Sequence, residues 1–411
     1  MSDRGRLADH LFFHQYFTLL ALAGGVGEWS LLCWLMAPLG WRPPLPAHLL
    51  GPLALAAGIR VAAFVFRRDE AAPGRPSTRV GRATVATGLA AAAGALALGA
   101  SQLAWTGFAR LVSSAEAGVV ATPPHGALPA GPPRTLGAGA VALAIGAVAY
   151  GYARGYRRLR VRRHTVAVEG LPPALAGLRL LHVSDLHVGP LADRTLLRAA
   201  LADAAALAPD LVCVTGDVVD NPYADLGTWL PELAALQAPL GVYAILGNHD
   251  LHAGAERVAA ALAAATGWRV LRDEIAVVER AGARLHLIGL EHRRRGHAAD
   301  ALPAALARVP PGEPAVLLMH HPAAFPAAAA AGVALTLAGH THGGQVAVPG
   351  LPWLNFARVG VTRFDAGLFS AGPATLHVSR GVGTSGQRLR LGVPNELALL
   401  TLVPAAAAAA A

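Results

Sequence analysis

The sequence predicts an α/β layered domain preceded by an all-α membrane region of about four helices, and three observations carry that prediction. Four apolar stretches fall in the first 155 residues, and short β-rich runs alternate with alanine-rich stretches after them. Positive charge is also unevenly placed: residues 1–163 hold 17 arginines against 6 acidic residues, whereas 164–411 hold 17 against 19. At 411 residues the chain exceeds a single ordinary domain, and 54% apolar against 14% charged residues excludes a disordered one. Two cysteines, Cys33 and Cys213, exclude a disulfide scaffold or a zinc ribbon.

The apolar stretches run from Tyr16 to Ala37, Leu45 to Phe66, Ala83 to Trp105 and Thr135 to Tyr152. Each approaches or reaches the ~20 residues that a helix needs to cross ~30 Å of hydrocarbon. The third and fourth carry no charge, whereas the first holds Glu28 and the second His48 and Arg60. An ion near mid-bilayer costs at least ~2.5 kcal/mol, so Arg60 is expected to snorkel or to pair with Glu28.

Arginine asymmetry sets the expected orientation. Four spans place Arg4, Arg6, the Arg67–Arg82 loop and the run from Arg154 to Arg163 on one side, with only Arg42, Arg110 and Arg134 on the other. The positive-inside bias then puts both termini and the second half of the chain in the cytoplasm, as a multi-pass membrane protein. The start lacks the short apolar core and small-residue site of a cleaved signal peptide. Residues 156–164 read as an Arg-rich juxtamembrane linker touching anionic lipid, 165–403 as the globular domain, and 404–411 as a low-complexity alanine tail. The second half has no basic excess, so no nucleic-acid binding is expected.

Seven runs read as strands: Leu178–Val183, Leu211–Thr215, Val242–Leu246, Leu285–Gly289, Ala315–Met319, Val333–Leu337 and Thr375–Ser379. Several are continuously apolar, as strands covered on both faces must be. Five of them end in metal-capable side chains: Ser184-Asp185-Leu186-His187, Gly216-Asp217-Val218-Val219-Asp220, Gly247-Asn248-His249-Asp250, His320-His321-Pro322 and Gly339-His340-Thr341-His342-Gly343-Gly344. Ligands of α/β sheets sit beyond the carboxyl ends of strands, so the five loops should converge. Each motif alone is weak, but their order and placement together point to one site.

Carboxylate, imidazole and amide oxygen without thiolate form a mixed N/O set that suits Mn, Fe, Zn or a similar divalent ion. There are more ligands than one ion needs. Two ions ~3.5 to 4 Å apart, sharing one carboxylate, can clamp the attacking and leaving oxygens of a phosphoryl displacement, with a bridging hydroxide available at neutral pH.

In this order the blocks resemble the calcineurin-like metallophosphoesterase superfamily. The closing Val378-Ser379-Arg380-Gly381 and Pro394-Asn395-Glu396 are similar to its bacterial membrane-anchored branch. The resemblance implies a four-layer αββα sandwich and a two-metal phosphoric ester hydrolase. It implies that Asp185, His187 and His342 bind one ion, that Asn248, His320 and His340 bind the other, and that Asp217 bridges both. His249 would serve the transition state or the leaving oxygen, with Asp220 orienting its imidazole. His321 is an alternative to His320, which the spacing to Pro322 favours.

Where the branch often has an acidic pair, this chain has Glu291-His292 followed by Arg293-Arg294-Arg295, read as a solvated loop. His182, His252, His286, His297 and His377 are assigned structural or surface roles. The substrate is a phosphodiester, pyrophosphate or phosphomonoester; a lipid-linked pyrophosphate such as UDP-2,3-diacylglucosamine is one candidate, and a soluble or cyclic nucleotide another. A reading of another class makes the spans a transporter or sensor with a regulatory domain, but the third and fourth spans offer few polar residues for a conduction path.

Overall fold

A computed structural model describes residues 22–23, 25–37, 43–68, 84, 86–103, 106 and 134–405, apart from 191, 222–223, 293–296 and 349. The chain divides into two units, Met1–Tyr150 and Gly151–Ala411.

In the first unit, helix covers 25–36, Leu45–Arg68, Ala86–Leu103 and the start of Arg134–Ala153. Two segments among the described residues are long and apolar enough to cross a membrane, Ala86–Leu103 and Arg134–Arg157. The third and fourth of the four expected spans coincide with these segments. The first stretch lies partly outside the described residues. The second lies within one helix, Leu45–Arg68, and is apolar over Pro46–Ile59.

The second unit is built on two six-stranded mixed sheets. Its strands are β1 (Leu159–Val168), β2 (Arg179–Val183), β3 (Leu211–Thr215), β4 (Val242–Ile245), β5 (Arg269–Val270), β6 (Glu274–Arg280) and β7 (Ala283–Gly289). They continue with β8 (Ala315–Leu318), β9 (Leu335–Ala338), β10 (Ala347–Val348), β11 (Leu351–Asn355), β12 (Gly367–Ala371), β13 (Ala374–Val378) and β14 (Asn395–Pro404). One sheet has the order β1-β14-β2-β3-β4-β5 and the other β12-β13-β9-β8-β7-β6, with β10 and β11 forming a separate hairpin. The principal helices are α1 (Arg194–Ala206), α2 (Asn248–Thr266), α3 (His297–Leu306) and α4 (Phe325–Ala330).

Successive side chains of a strand point to opposite faces, so a strand such as Leu180-Leu181 feeds two layers at once. Leu180, Leu211 and Ile245 of the first sheet meet Leu287, Val316 and Leu335 of the second in one fully buried core. Leu181, Val212 and Val214 pack outward on Leu197 of α1 and Leu262 of α2. Leu317 and Leu376 pack outward on Leu302 of α3 and Phe325 of α4. The order through the unit is thus helices, sheet, sheet, helices. Strands β2, β3 and β4 run parallel to one another, as do β7, β8, β9 and β13, which gathers the loops after their carboxyl ends.

The Arg-rich segment is the main correction to the sequence reading. Arg160, Arg162 and Arg163 belong to β1, which pairs in parallel with β14 from Leu159↔Asn395 to Val168↔Pro404. Leu159 and Val161 pack against the core while Arg160 and Arg163 are exposed, so the segment is an edge strand rather than a linker. Charge on an edge strand discourages pairing with other chains. The alanine tail lies beyond the described residues from 406 onward.

Strand β14, inserted between β1 and β2, brings Glu396 into the interior, where it is 1% exposed. Arg380 donates to its carboxylate, and His377 Nε2 lies 3.5 Å away. Burial alone would raise the Glu396 pKa, but His377 and Arg380 outweigh it and hold the carboxyl at about 2. A depressed carboxyl stabilises the fold above its unfolded value and loses that contribution as pH falls through the folded one. Glu396→Gln should therefore lower the urea midpoint at neutral pH, with the gap to the parent closing as pH falls from about 4.5 toward about 2. A gap that persists unchanged in acid contradicts this assignment.

Candidate metal centre

The loops after β2, β3 and β9 begin with an abrupt change of direction. Asp185, His187, Asp217, His340 and His342 have φ of 53°, 46°, 51°, 71° and 51°, the left-handed region that side-chain-bearing residues seldom occupy. Non-glycine residues persist there only where their surroundings over-determine them, and such positions cluster at functional sites. Here the turns aim carboxylates and imidazoles into a pocket where Asp185, His187, Asp217, His320 and His342 are all buried.

On one side, His187 Nε2 lies 3.0 Å from His342 Nε2, and His342 Nε2 lies 3.5 Å from Asp185 Oδ1. On the other, His320 Nε2 lies 3.1 Å from both Asp217 Oδ2 and Asn248 Oδ1. His340 Nδ1 is 2.9 Å from Asn248 Oδ1 and 3.3 Å from His320 Nε2. Asp217 Oδ2 lies between the two groups, since it is also 3.7 Å from His187 Nε2. Asp185 with His187 and His342, and Asp217 with His320 and His340, each place their ligand atoms within 4.8 Å of one another. His187, Asp217 and His249 form a third such group.

The second atoms of these side chains are already committed. His320 Nδ1 donates to the Thr215 carbonyl at 2.7 Å, which leaves Nε2 facing the pocket. His187 Nδ1 lies 3.1 Å from Asp220 Oδ1, again leaving Nε2 inward. A carboxylate behind an imidazole fixes its tautomer and strengthens the inward nitrogen as a ligand. The expectation that Asp220 orients His249 is thereby corrected. Its carboxylate stands 3.9 Å from His249 Nδ1, which donates instead to the Asp220 backbone carbonyl. The reason is position: β2 and β3 are neighbours, so the loop after β2 reaches the Asp220 side chain first.

The electrostatics of the pocket call for cations. Burial would raise the Asp217 pKa, but the neighbouring His320 and His249 hold it well below the usual carboxylate range. His320 is pushed up to about 9, its burial outweighed by Asp217. His340 and His342 are driven well below the ordinary value, by burial first and then by cationic neighbours, so their lone pairs are open. Converging lone pairs, buried carboxylates and no thiolate fit divalent ions of the Mn, Fe and Zn type. His320 faces the pocket, whereas His321 accepts a hydrogen bond from Ala323 N at 3.1 Å, so the geometry favours His320.

Sequence reasoning missed several supports. Asp250 is fully buried and accepts from Gly247 N at 2.9 Å, Val218 N at 3.2 Å and Val219 N at 2.8 Å, tying the Asp217 loop to the start of α2. Burial and the nearby Asp217 push its pKa up to about 6. An acidic residue at the third helical position was the available signal. Buried Arg390 donates to the carbonyls of Arg380 at 2.7 Å and Gly383 at 2.6 Å, and Gly383 N donates to Asp185 O at 2.7 Å, so the closing loops brace Asp185.

His292 is mostly buried beside the rings of His320 and His340, at centroid distances of 5.5 and 6.2 Å. Residues 293–295 lie outside the described residues. His182 and His377 are buried with Nδ1 atoms 2.8 Å apart, His286 is buried against Glu313, and His252 is exposed on α2. His297 begins α3.

Known proteins with similar sequences agree with this chemistry. A family profile described as calcineurin-like phosphoesterase matches residues 178–344. The chain is similar to the phosphodiesterase YaeI of Escherichia coli, at 31% identity over 56% of this chain and 83% of that protein. It is similar to a bovine transmembrane protein with metallophosphoesterase domain, at 31% over 58% of this chain and 55% of that protein. The uncharacterized metallophosphoesterase YkuE of Bacillus subtilis is 29% identical over 64% of this chain and 93% of its own length.

Two substitutions probe the pocket without removing a ligand. A Cβ on Gly247 would sit 2.1 Å from Asp217 Oδ1, so Gly247→Ala should displace that carboxylate and sharply reduce bound divalent metal. Asp220→Asn should weaken metal affinity by roughly 10- to 100-fold through His187, as loss of such outer partners does. Calorimetric titration with Mn²⁺ checks both, and parental affinity in either variant contradicts the geometry.

Proposed function

We infer, from the premise that the chain belongs to the calcineurin-like phosphoesterase family and is a metal-dependent phosphoester hydrolase, that it is a membrane-anchored, two-metal phosphodiesterase. The convergence of Asp185, His187, Asp217, Asn248, His320, His340 and His342 on one pocket is the observation that carries this reading. In it, Asp185, His187 and His342 would hold one divalent cation and Asn248, His320 and His340 a second, with the Asp217 carboxylate facing both groups of residues. When bound, such cations supply Lewis-acid stabilisation of phosphoryl charge and acidify water.

The protein's own groups do the rest. Asp220 holds His187 with its inner nitrogen toward the pocket, and Asp250 fixes the loop that carries Asp217. His249 donates its backbone N–H to Asp217 Oδ1 at 2.8 Å and its Nδ1–H to the Asp220 carbonyl. A carbonyl can only accept, so Nδ1 keeps its proton, and when the ring is also protonated on Nε2 that second proton can pass to the leaving oxygen of the ester. A half-buried imidazole beside the pocket suits that task.

Two apolar helices of membrane length, with transmembrane relatives from cattle and zebrafish, support membrane association. The arginine asymmetry supports a cytoplasm-facing domain on a multi-pass protein of the cell membrane. A phosphorylated substrate presented at the bilayer, such as a lipid-linked phosphodiester or pyrophosphate, fits a domain so tethered.

Asp217→Ala or Asn248→Ala should abolish hydrolysis of a chromogenic phosphodiester while circular dichroism stays unchanged; undiminished turnover would refute the assignment. His249→Ala should lower kcat by roughly 10²- to 10⁴-fold, as loss of a general acid does, with bound metal unaffected. Equal losses of metal and activity would make His249 a ligand instead.

A further inference from the structure

The loop that carries His340 and His342 continues directly into the β10–β11 hairpin, whose register runs from Ala347↔Asn355 to Val348↔Leu351. Its base is buried at Ala347 and Asn355, but every residue from Leu351 to Leu354 is exposed. A strand whose successive side chains face opposite sides and are all exposed is covered on neither face. Val348, Leu351, Trp353, Leu354 and Phe356 nevertheless form the densest exposed apolar run of the second unit, with Trp353 at 56% and Phe356 at 52% exposure. A two-stranded hairpin has little stability of its own in water, and an exposed apolar patch of this kind marks a contact surface.

The hairpin is nonetheless held firmly at its root. Ala347 N donates to Leu391 O at 2.9 Å, and Asn355 Nδ2 donates to Asp365 Oδ2 at 2.5 Å. Thr341, between the two histidines, donates to the Asp365 carbonyl. An apolar tip is thus rigidly joined to the metal-ligand loop.

Two features choose among occupants. First, the composition is that of a lipid–water boundary: a tryptophan and aliphatic side chains on the hairpin, with exposed Arg363 close by in the chain and Arg358 half-exposed, its Nη1 3.4 Å from Asp365 Oδ1. Second, only five residues separate the apolar helix ending at Ala153 from β1 at Leu159, so the folded unit is tethered at a bilayer surface. We propose that the β10–β11 hairpin dips into the interfacial layer of the bilayer, its tip among the acyl chain ends and Arg358 and Arg363 against anionic headgroups. This rests on the membrane-anchored reading above. It would hold the His340–His342 loop at the depth of lipid phosphates and favour phosphoesters embedded in the membrane.

Nitroxide accessibility tests the inference on the full chain in bilayers of phosphatidylethanolamine and phosphatidylglycerol. Labels are placed, one at a time, on Trp353→Cys, on Leu143→Cys in the apolar helix, and on Val277→Cys, an exposed site on β6, in a Cys33→Ser background; Cys213 is buried. The expected result is a severalfold preference for oxygen over a nickel chelate at 353 and 143, and the reverse at 277. A label at 353 that behaves like the one at 277 overturns the proposal while leaving the anchor intact. Shielding from both relaxants at 353 also overturns it, because it shows a protein contact, such as a second copy. Water exposure at 143 removes the membrane reading and this inference with it.

Discussion

Three carboxylates, Asp185, Asp217 and Asp220, are sunk into one pocket, and only positive charge can keep them there. Burying an anion without compensation costs many kcal/mol, and like charges at short range oppose joint ionisation. Protons on His320 and His187 supply part of the compensation, since both imidazoles are shifted upward by the carboxylates they face despite their burial. Divalent cations supply it more completely, because one ion satisfies several ligands at once. The arrangement therefore reads as a cation cage whose charge is balanced by what it binds.

The rest of the second unit serves that constraint. Two sheets with parallel central strands bring the loops together, and left-handed backbone at five candidate ligand positions turns their side chains inward. The closing third of the chain then braces the result. Val382 N and Gly383 N bond the carbonyls of Ser184 and Asp185, Glu396 N bonds the Gly381 carbonyl, and buried Arg390 gathers the carbonyls of Arg380 and Gly383. Asn395, next to Glu396, bonds the backbone of Tyr156 and Arg158. One strand, β14, thus ties the residues just after the apolar helix to the loop supporting Asp185.

What was legible in the sequence follows from this physics. Strands covered on both faces, such as Leu211–Thr215, are nearly continuous apolar runs, so they stand out, and the polar residues that follow each one are then conspicuous. β1 was obscured because its arginines read as a basic run, although Leu159 and Val161 keep the period of a strand. The pairing of Asp220 with His187 spans 33 residues and depends on which strands are neighbours, which local motifs do not encode. Asp250 left only its place at the third helical position as a signal, and Glu396 acts through buried charge, which leaves no spacing pattern. The hairpin was invisible as a surface because exposure belongs to the folded chain.

All of these roles presuppose that the pocket holds a pair of ions. Elemental analysis of the natively purified, full-length protein asks this most directly. The account predicts two equivalents of divalent transition metal per chain, falling together with phosphodiesterase activity when a chelator is applied. A protein that hydrolyses phosphodiesters at full rate with one equivalent or none contradicts it.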